Sequence, residues 1–149
     1  MKTEGDFVMV KLELSSLNKA LDALGRSLAI TNCAKKMEAM DDDLAETVRA
    51  GVIQNFEVCY ELCWKFMKRW LKENIGKSYV DGIPRYELFR FSAENKLIDD
   101  VEEWMGFHKL RNETSHTYDV ATAEQVFNIA NSFYKAATVF YKNIEAKND

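Results

Sequence analysis

The chain has 149 residues, of which 47% are hydrophobic and 30% charged, so a single domain can bury its core without disulfides or metals. One proline and six glycines favour long uninterrupted helices over a β fold with many turns. A net charge of −4 argues against a broad basic surface that coats nucleic acid, but it permits a local contact with one phosphate. We predict one domain over residues 1–149.

The three cysteines are an odd number in a chain without a signal peptide, so we expect reduced thiols in a cytoplasmic protein. Cys59 and Cys63 share one helical face, a spacing that can begin a metal site. No histidine or third cysteine is near them, so we predict small buried core residues, with no metal and no cofactor. No apolar run approaches the roughly 18 residues that a membrane span requires.

Apolar residues at steps of three and four predict two long helices in the first half of the chain. The polar stretch "MEAMDDD" separates them, and Gly76 is the predicted end of the second, which runs from about Leu44 to Asn74. The stripe of the first helix is Phe7, Val10, Leu14, Leu17, Leu21, Leu24 and Leu28, and that of the second is Val52, Phe56, Cys59, Cys63, Phe66 and Trp70.

The second half predicts a loop and three further helices. "GKSYVDGIP" is the loop, and Pro84 stands in the first turn of a short helix. Asp99, with Glu102, is the predicted cap of the next helix, and the capping-box sequence from Thr122 to Gln125 is the predicted start of the last. The stripe of the last helix is Phe127, Ala130, Tyr134, Ala137 and Tyr141. These elements predict an all-α fold, an antiparallel four-helix bundle with one additional short helix.

Arg111 continues the apolar stripe of the helix that precedes it, which runs through Leu97, Val101, Trp104 and His108. An arginine that faces inward needs an anion or a partner, because an unpaired buried charge is costly. We assign His108 only a packing role.

"RNETSHTYD" places His116 five residues after Arg111. A histidine transfers protons near neutral pH, and a guanidinium holds a phosphate through two parallel hydrogen bonds. The pair suits metal-free attack by an RNA 2′-hydroxyl on the neighbouring phosphate. The alternative is structural: Arg111 pairs with Glu57 or Glu61, while His116 and Tyr118 satisfy backbone groups at a corner of the bundle. An arginine shortly before a histidine is by itself a weak pattern.

A polar line along the second long helix also has two interpretations. Glu57, Glu61 and Lys65 form either a charge ladder on a solvated edge or a line from which a glutamate crosses the bundle to orient Arg111. The basic residues that follow, Lys65, Lys68, Arg69 and Lys72, form a solvated face or guide RNA or an acidic partner. Trp64, Trp70 and Trp104 are predicted core or dimer-interface residues.

"RNETSHTYD" follows "LIDDVEEWMGFHKL", and "QNFEVCYELCWKFMKRWL" stands upstream. This combination resembles the HEPN superfamily and, within it, the nucleotidyltransferase substrate-binding proteins, whose members are related to the HepT toxins. The similarity runs from roughly Phe7 to Ile144. It implies a helical bundle that forms a homodimer and works beside a separate minimal nucleotidyltransferase. The chain's three Trp, nine Phe and six Tyr, many for one small bundle, also predict a self-complementary face.

The resemblance also implies roles for individual residues. Arg111 and His116 would be the catalytic pair of a metal-independent RNase at the dimer interface, and Asn112 would help to orient them. Tyr118 would be the residue that the nucleotidyltransferase adenylylates, which silences the RNase. Glu57 and Glu61 match the acidic second helix of the family and are possible supporting residues. The alternatives are a non-catalytic subunit that presents a substrate to the transferase, and a purely structural bundle.

Overall fold

The computed structural model describes residues 11–114 and 120–148, and between 120 and 124 it describes the backbone alone. Four long helices, α1, α3, α6 and α7, form a bundle, and three short helices complete the described ranges. The helices are α1 (Ser15–Thr31), α2 (Ala34–Glu38), α3 (Asp42–Asn74), α4 (Lys77–Val80), α5 (Arg85–Glu94), α6 (Val101–Thr114) and α7 (Val120–Ala146). The predicted all-α bundle is confirmed.

Helix α3 is the longest element and packs against every other long helix. Its 33 residues correspond to about 50 Å at 1.5 Å per residue. Asp41 caps its start, since its carboxylate accepts a hydrogen bond from the backbone N–H of Leu44 at 2.8 Å. Gly76, one residue beyond the C-cap Ile75, has a φ of +115°, a conformation that side chains disfavour, so the predicted end at Gly76 is confirmed.

The core is aromatic where α3, α6 and α7 meet. The ring of Phe133 on α7 lies 5.1 Å from those of Phe56 and Phe107, 5.7 Å from that of Trp104 and 6.3 Å from that of Tyr60. Edge-to-face contacts dominate, an arrangement that adds stability beyond the burial of apolar area. Tyr60 forms the boundary of this core, because its hydroxyl points to polar groups on α5 and α6.

Two short helices were not predicted. Helix α2 falls in the polar stretch after the first helix, and α4 falls in the predicted loop "GKSYVDGIP". Each is about one turn long, which is too short for an apolar period of three and four to be visible. The single buried side chain of α4, Val80, is what attaches this turn to the core.

Two predicted helix starts differ from the structure. Asp100, not Asp99, caps α6, and its carboxylate accepts from the backbone N–H groups of Glu102 and Glu103. Two aspartates stand side by side there, and only one of them can occupy the capping position. Helix α7 begins at Val120, so Thr122 lies inside its first turn and not at its cap.

The buried faces follow the predicted stripes in α1 and α3, but in α7 only Ala130 and Ala137 of the predicted stripe are buried. The buried side chains of α7 are Val126, Ala130, Phe133, Ala137, Phe140 and Ile144. Phe127, Tyr134 and Tyr141 are only partly buried, so the core face is rotated by about one residue from the prediction. Phe7 and Val10 of the first stripe lie outside the described residues.

Cys59 and Cys63 are buried with no exposed area, as predicted, and burial raises the pKa of the Cys63 thiol. Within the described ranges, no group of three or more potential ligands among His, Cys, Asp and Glu is arranged to hold a metal ion. None of the helices described is both long and apolar enough to cross a membrane.

Candidate functional site

Arg111 stands in the last turn of α6 and reaches across to α3. Its Nη1 donates to Oε2 of Glu57 at 2.9 Å, and its Nε lies 3.6 Å from Oε1 of Glu61. Glu57 and Glu61 are one helical turn apart, so both carboxylates lie on the same side of α3. The three side chains are 25%, 17% and 35% exposed, respectively, so the group is largely withdrawn from solvent. We call these three residues the Arg111–glutamate cluster.

Both interpretations of the sequence predicted this ion pair, so the pair does not distinguish between them. The other contacts of the guanidinium are therefore more informative. Glu57 occupies Nη1, whereas the Nε to Glu61 separation is too long for a hydrogen bond, and Nε is buried without an acceptor. No side chain or carbonyl within the described residues accepts from Nη2 of Arg111. With respect to the described residues, the guanidinium is therefore held by Glu57 while Nη2 keeps donor capacity for an anion.

Thr114, one turn after Arg111, is buried beside the same carboxylate. Its Oγ1 lies 2.9 Å from Oε2 of Glu57 and 2.8 Å from the backbone carbonyl oxygen of Arg111. The hydroxyl has one proton, so it donates to one of these oxygens at a time. The contact ties the end of α6 to Glu57 through a second hydrogen bond.

His108 is part of a polar network that the sequence interpretation missed. Its Nδ1 lies 2.8 Å from the hydroxyl of Tyr60, and its Nε2 lies 3.4 Å from Nδ2 of Asn112. Arg85, at the start of α5, donates from Nη1 to the Tyr60 hydroxyl at 3.0 Å. The sequence holds one signal for this network, because His108 stands one helical turn before both Arg111 and Asn112.

Burial and the charge of Arg85 both lower the pKa of His108, while Glu61 acts in the opposite direction. Burial raises the pKa of Tyr60 well above its ordinary value, so this phenol keeps its proton and can donate it. Nη1 of Arg85 also lies 3.5 Å from Nδ1 of His108, and two donors would repel each other there. Nδ1 is therefore the acceptor for Tyr60, and the neutral imidazole carries its proton on Nε2. A proton there requires the side-chain amide of Asn112 to present Oδ1, its acceptor, in place of Nδ2.

Trp64 connects the two arginines. Its indole Nε1 donates to Oε2 of Glu61, the residue whose other oxygen faces Arg111. The guanidinium carbon of Arg85 lies 3.7 Å from the centroid of the Trp64 ring, so this cation stacks on the indole. Trp64 is thus a half-buried member of the site, whereas Trp70 and Trp104 are buried in the core as predicted.

The structure brings together only part of the predicted site. Arg111, Glu57 and Glu61 lie in contact, whereas Asn112 contacts His108, which belongs to the neighbouring network with Tyr60 and Arg85. His116 and Tyr118 lie outside the described residues. The charge ladder from Glu61 to Lys65 is absent among the described ion pairs, and Lys65 instead lies 5.7 Å above the Trp64 ring.

The structure so far defines an all-helical bundle protein with a half-buried guanidinium beside two carboxylates, and comparison with known families assigns its family. Residues 12–146 match the family model described as "Nucleotidyltransferase substrate binding protein like". The chain therefore belongs to this family, and the resemblance recognised in the sequence is confirmed.

Individual relatives agree with this assignment. The chain is 29% identical over 139 residues to a Haemophilus influenzae protein named "Probable ribonuclease HepT", covering 93% of this chain and 95% of that one. A solved Haemophilus influenzae structure, described as revealing the fold of a substrate binding domain of a nucleotidyltransferase, is 27% identical with a TM-score of 0.86. It covers 89% of this chain and 99% of its own. A Thermus thermophilus crystal structure, 22% identical with a TM-score of 0.67 over 86% of this chain and 98% of its own, shares the fold.

Proposed function

We propose that the protein is the helical subunit of a two-component HEPN–minimal nucleotidyltransferase pair. It is a cytoplasmic homodimer and a metal-independent endoribonuclease, and adenylylation of Tyr118 silences it. The observation that carries this proposal is Arg111, a half-buried cation held by a carboxylate from another helix, whose Nη2 has no acceptor among the described residues. The relative named as a probable ribonuclease supports the same activity.

In the proposed reaction, the 2′-hydroxyl of RNA attacks the adjacent phosphorus, and the bond to the 5′-oxygen of the next nucleotide breaks. His116 takes the proton from the attacking hydroxyl or gives one to the leaving oxygen. Arg111 stabilises the negative charge that develops on the phosphoryl oxygens, and Glu57 holds its guanidinium in the required orientation. The products are a 2′,3′-cyclic phosphate end and a 5′-hydroxyl end.

The first test is cleavage of single-stranded RNA by the purified protein in excess EDTA, with the ends of the products identified. We expect cyclic phosphate ends, and we expect Arg111→Lys to lose most of the activity because an ammonium lacks the bidentate fork. Arg90→Lys is the matched control, since Arg90 lies on the exposed face of α5. Activity that survives His116→Ala, or that disappears with the chelator, contradicts the mechanism.

The second test concerns Tyr118, two residues beyond His116. Attack of its oxygen on the α-phosphorus of ATP would release pyrophosphate and attach an adenylyl group. The new phosphodiester could then bind Arg111 intramolecularly and compete with RNA. We expect a mass gain on Tyr118 after incubation with the cognate nucleotidyltransferase, ATP and Mg²⁺. Tyr118→Phe should block the gain while preserving RNA cleavage, and modification at another residue contradicts the proposal.

The dimer is tested by light scattering at micromolar concentration. Among the residues whose side chains the structure describes, the bundle by itself buries most large apolar side chains, and the large ones that stay exposed are Leu44, Val58, Tyr79, Tyr86 and Val139. Val58 lies one helical turn before Glu61, so an apolar contact between copies at this face would also exclude water from the site. A monomer mass counts against the dimer and against a site at its interface.

A second function is favoured by the family description and by the structural relative described as a substrate binding domain. In this alternative, the subunit does not cleave RNA but presents a substrate to the partner nucleotidyltransferase. The tests above separate the two functions. Absence of RNA cleavage, together with stimulation of nucleotide transfer to a substrate other than Tyr118, supports the presenting subunit and contradicts the RNase.

A further inference from the structure

Arg85 is a half-buried cation without a carboxylate partner among the described residues. Arg26, Arg90 and Arg111 form ion pairs, while Arg49 and Arg69 are exposed. Arg85 instead stacks on Trp64 and donates one N–H to Tyr60. Stacking on an indole compensates only part of the lost hydration of a guanidinium, and its remaining N–H groups suit an anion.

The orientation of this guanidinium is already fixed before any ligand binds. Trp64 defines the plane, and its own indole is held by the hydrogen bond to Glu61. Tyr60 fixes the rotation of the guanidinium within that plane through Nη1. A fork held in this way loses little side-chain entropy when it binds a phosphate.

The charges of the neighbouring groups explain why a second cation is needed. The formal charges of Glu57, Glu61 and Arg111 sum to −1, and this net negative charge would repel a phosphodiester. Arg85, connected to Glu61 through Trp64, brings the sum to zero, and Lys65 beside the same indole brings it to +1. His108 adds nothing near neutral pH, because its pKa is lowered.

We propose that Arg85, stacked on Trp64, binds a phosphodiester of single-stranded RNA next to the one held at Arg111. The contiguous contacts Arg111–Glu61–Trp64–Arg85 connect the two guanidiniums where α5 and α6 pack against α3. Lys65, at the outer side of Trp64, extends the positive potential in the direction of the basic residues of α3. This inference rests on the proposed action on RNA, which supplies the ligand.

The experiment measures binding of a fluorescent 2′-O-methyl octanucleotide, which lacks the attacking hydroxyl, to the full chain by anisotropy at several salt concentrations. For Arg85→Gln we expect affinity to fall about tenfold at low salt, and the slope of log K against log salt to decrease by about 0.7, the value for one lost phosphate contact on a single strand. Arg85→Lys keeps the positive charge, so its slope of log K against log salt should match that of the unmodified chain. Arg90→Gln, on the same helix, should match the unmodified chain.

Circular dichroism and thermal melting establish that each variant is folded. An unchanged slope in folded Arg85→Gln, equal losses in Arg85→Gln and Arg90→Gln, or no binding by the unmodified chain overturns the subsite. Loss of affinity for AMP without loss for the octanucleotide also overturns it, since a mononucleotide would then be the ligand. RNA binding that depends on Arg85 without any cleavage supports the subsite and contradicts the proposed RNase. RNA cleavage, together with a salt dependence of binding that Arg85→Gln leaves unchanged, supports the proposed RNase and contradicts the subsite.

Discussion

The contact between Arg111 and Glu57 should contribute measurably to stability because it is largely withdrawn from water. Fully exposed pairs contribute roughly 0.2–1 kcal/mol, and breaking a fully buried pair costs about 3–5 kcal/mol. With side chains 25% and 17% exposed, this pair lies between these limits. Glu57→Ala also removes one of the two acceptors within reach of the Thr114 hydroxyl, so we expect a loss of about 2 kcal/mol in the free energy of unfolding.

A double-mutant cycle isolates the pair. The cycle combines Glu57→Ala and Arg111→Ala, with urea unfolding of all four proteins at one protomer concentration. We expect a coupling of about 1.5 kcal/mol, and for Glu57→Ala alone a melting temperature lower by about 4–8 °C. The matched control is Arg90 with Glu94, a contact of 2.7 Å whose side chains are 45% and 53% exposed. Equal coupling in the two cycles would show that the cluster is held no more firmly than a surface pair.

Two further predictions concern the groups around the site. The pKa of His108 is lower in the folded chain than its ordinary value of 6.5, so the unfolded chain binds the proton first as the pH falls. The free energy of unfolding therefore decreases as the pH falls from about 7 towards the lowered pKa. His108→Gln should reduce this loss in melts from pH 5 to pH 8, with His116 present in both proteins, and an identical pH profile would contradict the assignment. Phe133→Ala should cost about 4 kcal/mol in urea unfolding, since the ring is fully buried among other aromatic rings. The control Phe127→Ala, at a partly buried position, should cost less, and equal losses would contradict the packing described.

The sequence predicted those features that repeat along the chain. The long stripes of α1 and α3 made these helices visible, and Gly76 marked an end because few other residues adopt a positive φ. One-turn elements such as α4 have no period to detect. The face of α7 was misassigned in part because Phe127, Tyr134 and Tyr141 are large aromatic residues whose spacing is as helical as that of the residues that are buried.

The site was predictable where an unusual residue stood on an apolar stripe. Arg111 was such a residue, and its partners on α3 followed from the need of a buried cation for a counter-charge. Arg85 and Trp64 gave no comparable signal, since a cation at a helix start and a tryptophan among apolar residues are both ordinary. Their contact depends on how α5 packs against α3, which a pattern within either helix does not specify.

The hydrogen bond between Arg111 and Glu57 joins positions 54 residues apart, and this separation matters when related chains are compared. A peptide copied from Arg111 to Asp119 would have the arginine without the carboxylates that orient it. On the proposed mechanism, a related chain can keep its arginine and histidine and still lose activity through substitutions in α3. The distribution of RNase activity among relatives should therefore follow the acidic residues at positions 57 and 61 as closely as it follows the short motif itself.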